Sequence, residues 1–68
     1  MNIAHISRRE MQVLDLISLG LTTKEISKQL HVSPNTVLTH RKKLLSKLNV
    51  HNMPSLVRRS FELGILVG

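Results

Sequence analysis

The segment from Ser33 to Leu48 holds the densest group of side chains that could recognise a charged partner. It combines Lys and Arg with hydroxyl, amide and imidazole groups, and it contains neither Asp nor Glu. A helix face that meets only water usually pairs Glu with Lys, whereas an element lying between phosphate backbones is better without carboxylates. The pattern therefore predicts non-covalent recognition of a polyanion.

Catalytic and metal-binding chemistry is not expected. The acidic residues lie apart from one another, and helix capping accounts for Glu10 and Glu25. No nucleophile has an obvious base, and no glycine-rich loop could cradle a phosphate. The chain has no cysteine, and the histidines lack metal-ligand spacing; they are His5, His31, His40 and His51. We expect no enzyme activity, no metal and no cofactor.

Composition limits the classes of partner. The chain has 68 residues, with ten Lys and Arg against four Asp and Glu and a net charge of +6, so nucleic acid is favoured over an acidic membrane surface. A single Phe and the absence of Trp and Tyr argue against single-strand and RNA binding, which stack bases on aromatic rings. No apolar run approaches the roughly 18 residues of a membrane span. We expect an intracellular protein that binds double-stranded DNA and no membrane.

Helix-start and helix-end signals divide the chain into four elements. The starts are the capping boxes Ser7–Glu10 and Thr22–Glu25, the pair Ser33-Pro34, and Asn52 followed by Pro54. The ends are residues that tolerate a left-handed backbone, namely Gly20, His31, Asn49 and Gly64. We predict helices over about 8–19, 23–30, 34–48 and 53–63, with no strand. The expected fold is all-α, a single domain of four helices over residues 1–68.

Residues 22–48 are predicted to form a helix-turn-helix, in which the third helix has a buried back and a basic front. At helical spacing Val37, Leu44 and Leu48 form a narrow apolar stripe that faces the core. The opposite side mixes basic, small polar and apolar side chains. Because a major groove about 12 Å wide admits one helix, the front residues would meet base edges.

Two sets of contacts follow from this placement. The residues predicted to contact bases are Asn35, Leu38, Thr39 and Lys42. The residues predicted to contact phosphates are Lys24, Ser33, Thr36, His40, Arg41, Lys43 and Lys47. For Thr36 a purely local backbone bond is an equally weighted alternative, and His40 is also expected to pack partly in the core.

The chain resembles the DNA-binding domain of LuxR-type (GerE-like) bacterial transcription regulators. The matching motifs cover about residues 6–66: Ile6-Ser7-Arg8-Arg9-Glu10, Gly20-Leu21-Thr22-Thr23-Lys24-Glu25-Ile26, Val32-Ser33, Thr36-Val37, His40, Lys47-Leu48 and Leu63-Gly64-Ile65-Leu66. The resemblance implies a tetra-helical fold, winged-helix-like in its three-helix core but without the wing. The third helix would enter the major groove and the fourth would form a homodimer contact.

The resemblance also implies roles for individual residues. The family's base-contacting positions fall on Leu38, Thr39 and Lys42, and its phosphate-contacting positions on Lys24, Ser33, Thr36, His40 and Lys47. Three departures stand out: Leu38 where Lys is frequent, Arg41 where an apolar residue is usual, and Met53-Pro54-Ser55 at the start of the fourth helix. A thymine methyl contact through Leu38 is expected in place of a polar one, and the Arg41 stem is expected to pack while its guanidinium reaches toward phosphate.

The fourth helix is the predicted dimer contact. The residues expected on its dimer face are Leu56, Val57, Ser60, Phe61 and Gly64. An alternative from a different class is a protein-interaction module that docks through this helix on another regulator or on RNA polymerase. Members of the family usually carry an N-terminal receiver or ligand-binding domain, so the chain is expected to be the output domain of a response regulator, with a standalone regulator as the alternative.

Overall fold

The computed structural model describes residues 5–68, and within them it contains four helices and no strand. They are α1 (Arg8–Ser18), α2 (Thr23–Leu30), α3 (Pro34–Lys47) and α4 (Met53–Glu62). The predicted all-α, four-helix fold class is confirmed. Helices α1, α3 and α4 each end one residue before the predicted end, because Leu19, Leu48 and Leu63 are C-cap residues whose N–H groups still bond back into the helix.

The helices begin where side chains satisfy the unpaired backbone N–H groups of the first turn. The Ser7 hydroxyl accepts from the Glu10 N–H at 3.1 Å, and the Glu10 carboxylate accepts from the Ser7 N–H at 2.9 Å. Thr22 and Glu25 form the same reciprocal pair, at 3.2 and 2.8 Å. Ser33 caps α3 ahead of Pro34. At each of these three helix starts, the capping side chain predicted from the sequence accepts a backbone hydrogen bond.

The turn between α2 and α3 is short because His31 takes a left-handed backbone. Its φ is 57°, and Asn49 after α3 has a φ of 56°. Both residue types tolerate this region better than most non-glycine residues. Val32 then packs against the core, and its N–H donates to the Ser27 carbonyl at 3.0 Å. A helix-turn-helix therefore forms here without a glycine in the turn.

The core lies where α1, α2, α3 and α4 meet. Its buried apolar side chains come from all four helices and from the C-terminal segment: Val13, Leu14, Ile26, Val37, Leu44, Leu48, Leu56 and Leu66. Helix α3 packs against α1, α2 and α4, so its back is covered on three sides. Over residues 5–68 no helix is long and apolar enough to cross a membrane.

Candidate nucleic-acid interface

Helix α3 separates a buried back from an exposed front. Val37 and Leu44 have no exposed surface and Leu48 is 5% exposed, as the predicted apolar stripe requires. On the other side Leu38 is 44% exposed although it is a large apolar residue. The remaining predicted base-contacting residues, Asn35, Thr39 and Lys42, are also exposed. The front thus presents an apolar side chain, hydrogen-bonding groups and one ammonium together.

The first turn of α3 exposes a small polar cluster. The Ser33 hydroxyl accepts from the Thr36 N–H at 3.2 Å and lies 3.0 Å from the Thr36 hydroxyl. One turn later the Thr39 hydroxyl donates to the Asn35 carbonyl at 3.0 Å. The Thr36 hydroxyl thus has the Ser33 hydroxyl as its local partner, and Thr36 is exposed. On α2, Lys24 is exposed in the first turn.

One flank of α3 faces the start of α1 and lines an open groove. The groove is lined by Ser7 and Glu10 of α1 and by His40, Lys43, Ser46 and Lys47 of α3. His40 is half-buried, and its Nδ1 atom is buried with no hydrogen-bond partner in the part of the chain that the structure describes. Lys43 is exposed at the rim of this groove. His40, Lys43 and Ser46 are the α3 residues of this groove whose side chains form no hydrogen bond within residues 5–68.

Lys47 differs from Lys43 because it is engaged within the chain. Its Nζ lies 2.6 Å from Oε1 of Glu10 and 2.7 Å from the His5 carbonyl oxygen. Burial alone raises the pKa of the Glu10 carboxyl, but hydrogen bonds from Lys47 and from the Ser7 N–H outweigh it and hold this pKa below its usual value. The sequence suggested Lys47 as a phosphate contact, whereas the structure gives its ammonium an ion pair with α1.

The other flank of α3 faces α2, and there Arg41 is half-buried. Its Nη1 donates a hydrogen bond to the Thr23 hydroxyl. The predicted packing of the Arg41 stem agrees with this burial, but one edge of the guanidinium is directed to α2. Sequence reasoning missed the partners of Arg41 and Lys47. Thr23 and Glu10 are remote from α3 in sequence, and only the packing of the helices brings them together.

The predicted dimer face on α4 divides into buried and exposed residues. Leu56 and Ser60 have no exposed surface, and the Ser60 hydroxyl donates to the Leu56 carbonyl at 2.7 Å. Both face the core of the single chain. This burial corrects the prediction that Leu56 and Ser60 lie on the dimer face. Phe61 is 45% exposed, Val57 is half-buried and Gly64 is exposed with a φ of 76°. No cluster of three or more potential metal ligands occurs over residues 5–68.

Comparison with known proteins agrees with this architecture. Residues 4–60 match the family model described as bacterial regulatory proteins, luxR family. The chain is 39% identical over 62 residues to the response regulator UvrY of Escherichia coli K12. The aligned segment covers 91% of this chain and 28% of UvrY. The chain is 42% identical over 57 residues to the transcriptional regulatory protein UhpA of the same strain, covering 84% and 29% of the two chains.

A solved structure shows the same fold. The response regulator ChrA of a heme-sensing two-component system superposes with a TM-score of 0.90 at 26% identity, covering 97% of this chain and 33% of that one. The chain thus spans less than a third of the length of the curated relatives described above. The chain belongs to the luxR family of bacterial regulatory proteins, as a helix-turn-helix DNA-binding domain of that family.

Proposed function

We propose that this domain binds duplex DNA sequence-specifically as a homodimer and serves as the output domain of a bacterial response regulator. The observation that carries the proposal is the exposed front of α3, which has no carboxylate and lies opposite a fully buried back. A helix with this division can enter the major groove while the rest of the domain stays packed. Its site of action would be the bacterial cytoplasm, at the nucleoid.

The front residues suit different features of a base pair. The Lys42 ammonium can donate to O6 and N7 of guanine, and the Thr39 hydroxyl can bond a base edge. Leu38 suits the methyl group of thymine, because its exposed apolar surface gains from leaving water. Asn35 lies one turn before Thr39, in the first turn of α3. This N-terminal end of α3 is the end that would enter the groove. Four residues thus supply donors, an acceptor and an apolar contact.

Phosphate contacts are proposed on both sides of the groove. Ser33, Thr36 and the N-terminus of α3 can bind phosphate oxygens at the start of the helix. Lys24 would contact one backbone from α2, and His40 with Lys43 would contact the other from the α1 flank. We leave Arg41 and Lys47 out of this set because their charged groups have partners within the chain.

The homodimer contact is proposed on the exposed part of α4, around Val57 and Phe61. Phe61 is the largest apolar side chain left exposed on this helix, at 45%. A symmetric dimer places two α3 helices on two half-sites, whose separation is a multiple of the DNA repeat for sites on one face of the duplex.

Selection of bound sites from a random duplex library tests the proposal. We expect a single enriched motif with two related half-sites and an affinity that falls steeply with salt. Binding that does not depend on base sequence would contradict specific recognition, and a single half-site without a spacing preference would contradict the homodimer.

A second candidate function is docking of another regulator or RNA polymerase on α4. Exposed Phe61 is the observation that favours it. Pull-down from a bacterial lysate before and after nuclease treatment separates the two functions. Partners that are retained after nuclease treatment and lost in Phe61→Ala would support protein docking, whereas partners lost with the DNA would support the DNA-binding proposal.

A further inference from the structure

Arg41 makes the side-chain hydrogen bond that joins the two helices of the helix-turn-helix. It donates from α3 to the hydroxyl of Thr23, the first residue of α2. The other side-chain hydrogen bonds of α2 and α3 over residues 5–68 are local or connect Lys47 to the region of α1. Arg41 and Lys47 lie about 120° apart around the axis of α3, at 100° per residue. The two cations therefore attach α3 to different neighbours.

The apolar contacts between α2 and α3 constrain distance better than rotation. Ile26 of α2 and Val37 and Leu44 of α3 are fully buried, and hydrophobic burial is non-directional. A hydrogen bond, in contrast, weakens steeply once its angle falls below about 120°. Base contacts require side chains held to within about 0.5 Å, so a directional contact near the base-contacting front has a strong effect on specificity.

We infer that Arg41 is a positioning residue, which fixes the rotation of α3 through Thr23 and so aligns the base-contacting front. The inference rests on the proposed DNA-binding function. Both partners are half-buried, while Lys24 beside Thr23 is exposed. Arg41 thus acts on specificity through α2, whereas Lys24 acts on affinity through phosphate.

The experiment compares binding to the selected operator and to operators with one base pair changed, over a range of salt concentrations. The variants are Thr23→Val, Arg41→Met and the double variant, with Thr23→Ser as the conservative control and Lys24→Met as the phosphate-contact control. Circular dichroism and unfolding midpoints identify the temperature at which every variant is folded.

Thr23→Val leaves the charge unchanged, so it isolates the positioning effect. We expect it to lower the discrimination between operator and mismatched operator by about fivefold or more, with an unchanged salt slope. Arg41→Met should do the same, the double variant should add no further loss, and Thr23→Ser should retain discrimination. Lys24→Met should reduce the slope by about 0.9 and leave discrimination intact.

Two outcomes overturn the inference alone. One is equal discrimination by the wild type and Thr23→Val. The other is an Arg41→Met variant whose salt slope falls by about one while its discrimination is retained, which would make Arg41 a phosphate contact. A wild-type domain that selects no operator overturns the proposed function itself, and the positioning role with it.

Discussion

Lys47 Nζ lies 2.6 Å from Oε1 of Glu10, so the last turn of α3 is tied to the first turn of α1. Only 4% of the Glu10 side chain is exposed, against 29% of the Lys47 side chain. The same carboxylate accepts from the Ser7 N–H and completes the capping box. Glu10 therefore joins the start of one helix to the end of another.

Removing the ammonium of Lys47 should weaken the fold rather than the phosphate contacts. Lys47→Met keeps most of the apolar stem but leaves a nearly buried carboxylate without its ion pair. We expect a loss of about 1–3 kcal/mol in the free energy of unfolding, measured by urea denaturation. The salt dependence of DNA binding, measured under folding conditions, should keep its wild-type slope.

Lys43→Met is the matched control, because Lys43 is on the same flank of α3 and exposed. Its free energy of unfolding should change by less than about 0.5 kcal/mol. Its salt slope should fall by about 0.9, as expected for one lost phosphate contact. If the two variants exchanged these effects, Lys47 would be the phosphate contact and its pairing with Glu10 would contribute little.

The stability of the domain should fall in acid because of Glu10. Its pKa is lowered in the folded state from the ordinary value of 4.5, so the folded state binds this proton less readily than the unfolded state. The stabilisation is present above pH 4.5 and is lost as the pH falls through 4.5 and then through the lower folded pKa. Urea denaturation at a series of pH values measures it.

Glu10→Gln should have a flatter dependence of stability on pH in the same interval. Some dependence should remain, because the hydrogen bond from the Thr22 backbone N–H also lowers the pKa of Glu25. Curves for the wild type and Glu10→Gln that run parallel below pH 4.5 would argue against the ion pair as the source of acid sensitivity.

The sequence predicts the local features of this domain well and the contacts between helices poorly. Caps such as Ser7 and Thr22, and the left-handed His31, depend on residues within a few positions, so they can be recognised before folding. The apolar stripe of α3 likewise follows from helical periodicity. Lys47 and Arg41 could be recognised only as cations, since their partners lie 37 and 18 residues away in the sequence.

The same reason explains the division of the α4 face. Helical spacing places Leu56 and Ser60 on one stripe, with Phe61 nearby. The sequence does not indicate how deeply each of these residues is buried. The structure buries the first two completely and leaves Phe61 45% exposed. Burial depends on how α4 docks against α1 and α3, which periodicity does not specify.

Lys42 should control recognition at one base position. Lys42→Ala removes an exposed ammonium from the front of α3 and should cost about 1–3 kcal/mol of binding free energy at the selected operator. The preference at the corresponding position should relax, most simply from guanine toward any base. A gel-shift series on operator variants measures both effects, and an unchanged preference with unchanged affinity would refute the assignment.

Phe61 should contribute to dimerisation on DNA. Truncation to alanine removes the largest exposed apolar group of α4 and should convert cooperative occupation of two half-sites into independent occupation. Analytical ultracentrifugation of the domain with a two-site duplex gives the stoichiometry and the cooperativity. Leu19→Ala is the control, because Leu19 is 74% exposed at the end of α1; an equal loss of cooperativity in both variants would speak against a contact specific to α4.

The exposed side chain of Leu38 should contact a thymine methyl group of the operator. Replacing that thymine by uracil removes only the methyl and preserves base pairing. For the wild-type domain, one uracil in the operator should weaken binding by about 0.8 kcal/mol, close to fourfold. Leu38→Ala should bind the thymine operator more weakly and should distinguish thymine from uracil little at this position. The thymine-to-uracil effect on binding is compared between the wild-type domain and Leu38→Ala. The difference between these two effects isolates the contact, because the uracil substitution and the Leu38 substitution each also alter their own surroundings. If uracil at every thymine of the operator weakened both proteins equally, Leu38 would not be the residue that contacts the methyl group.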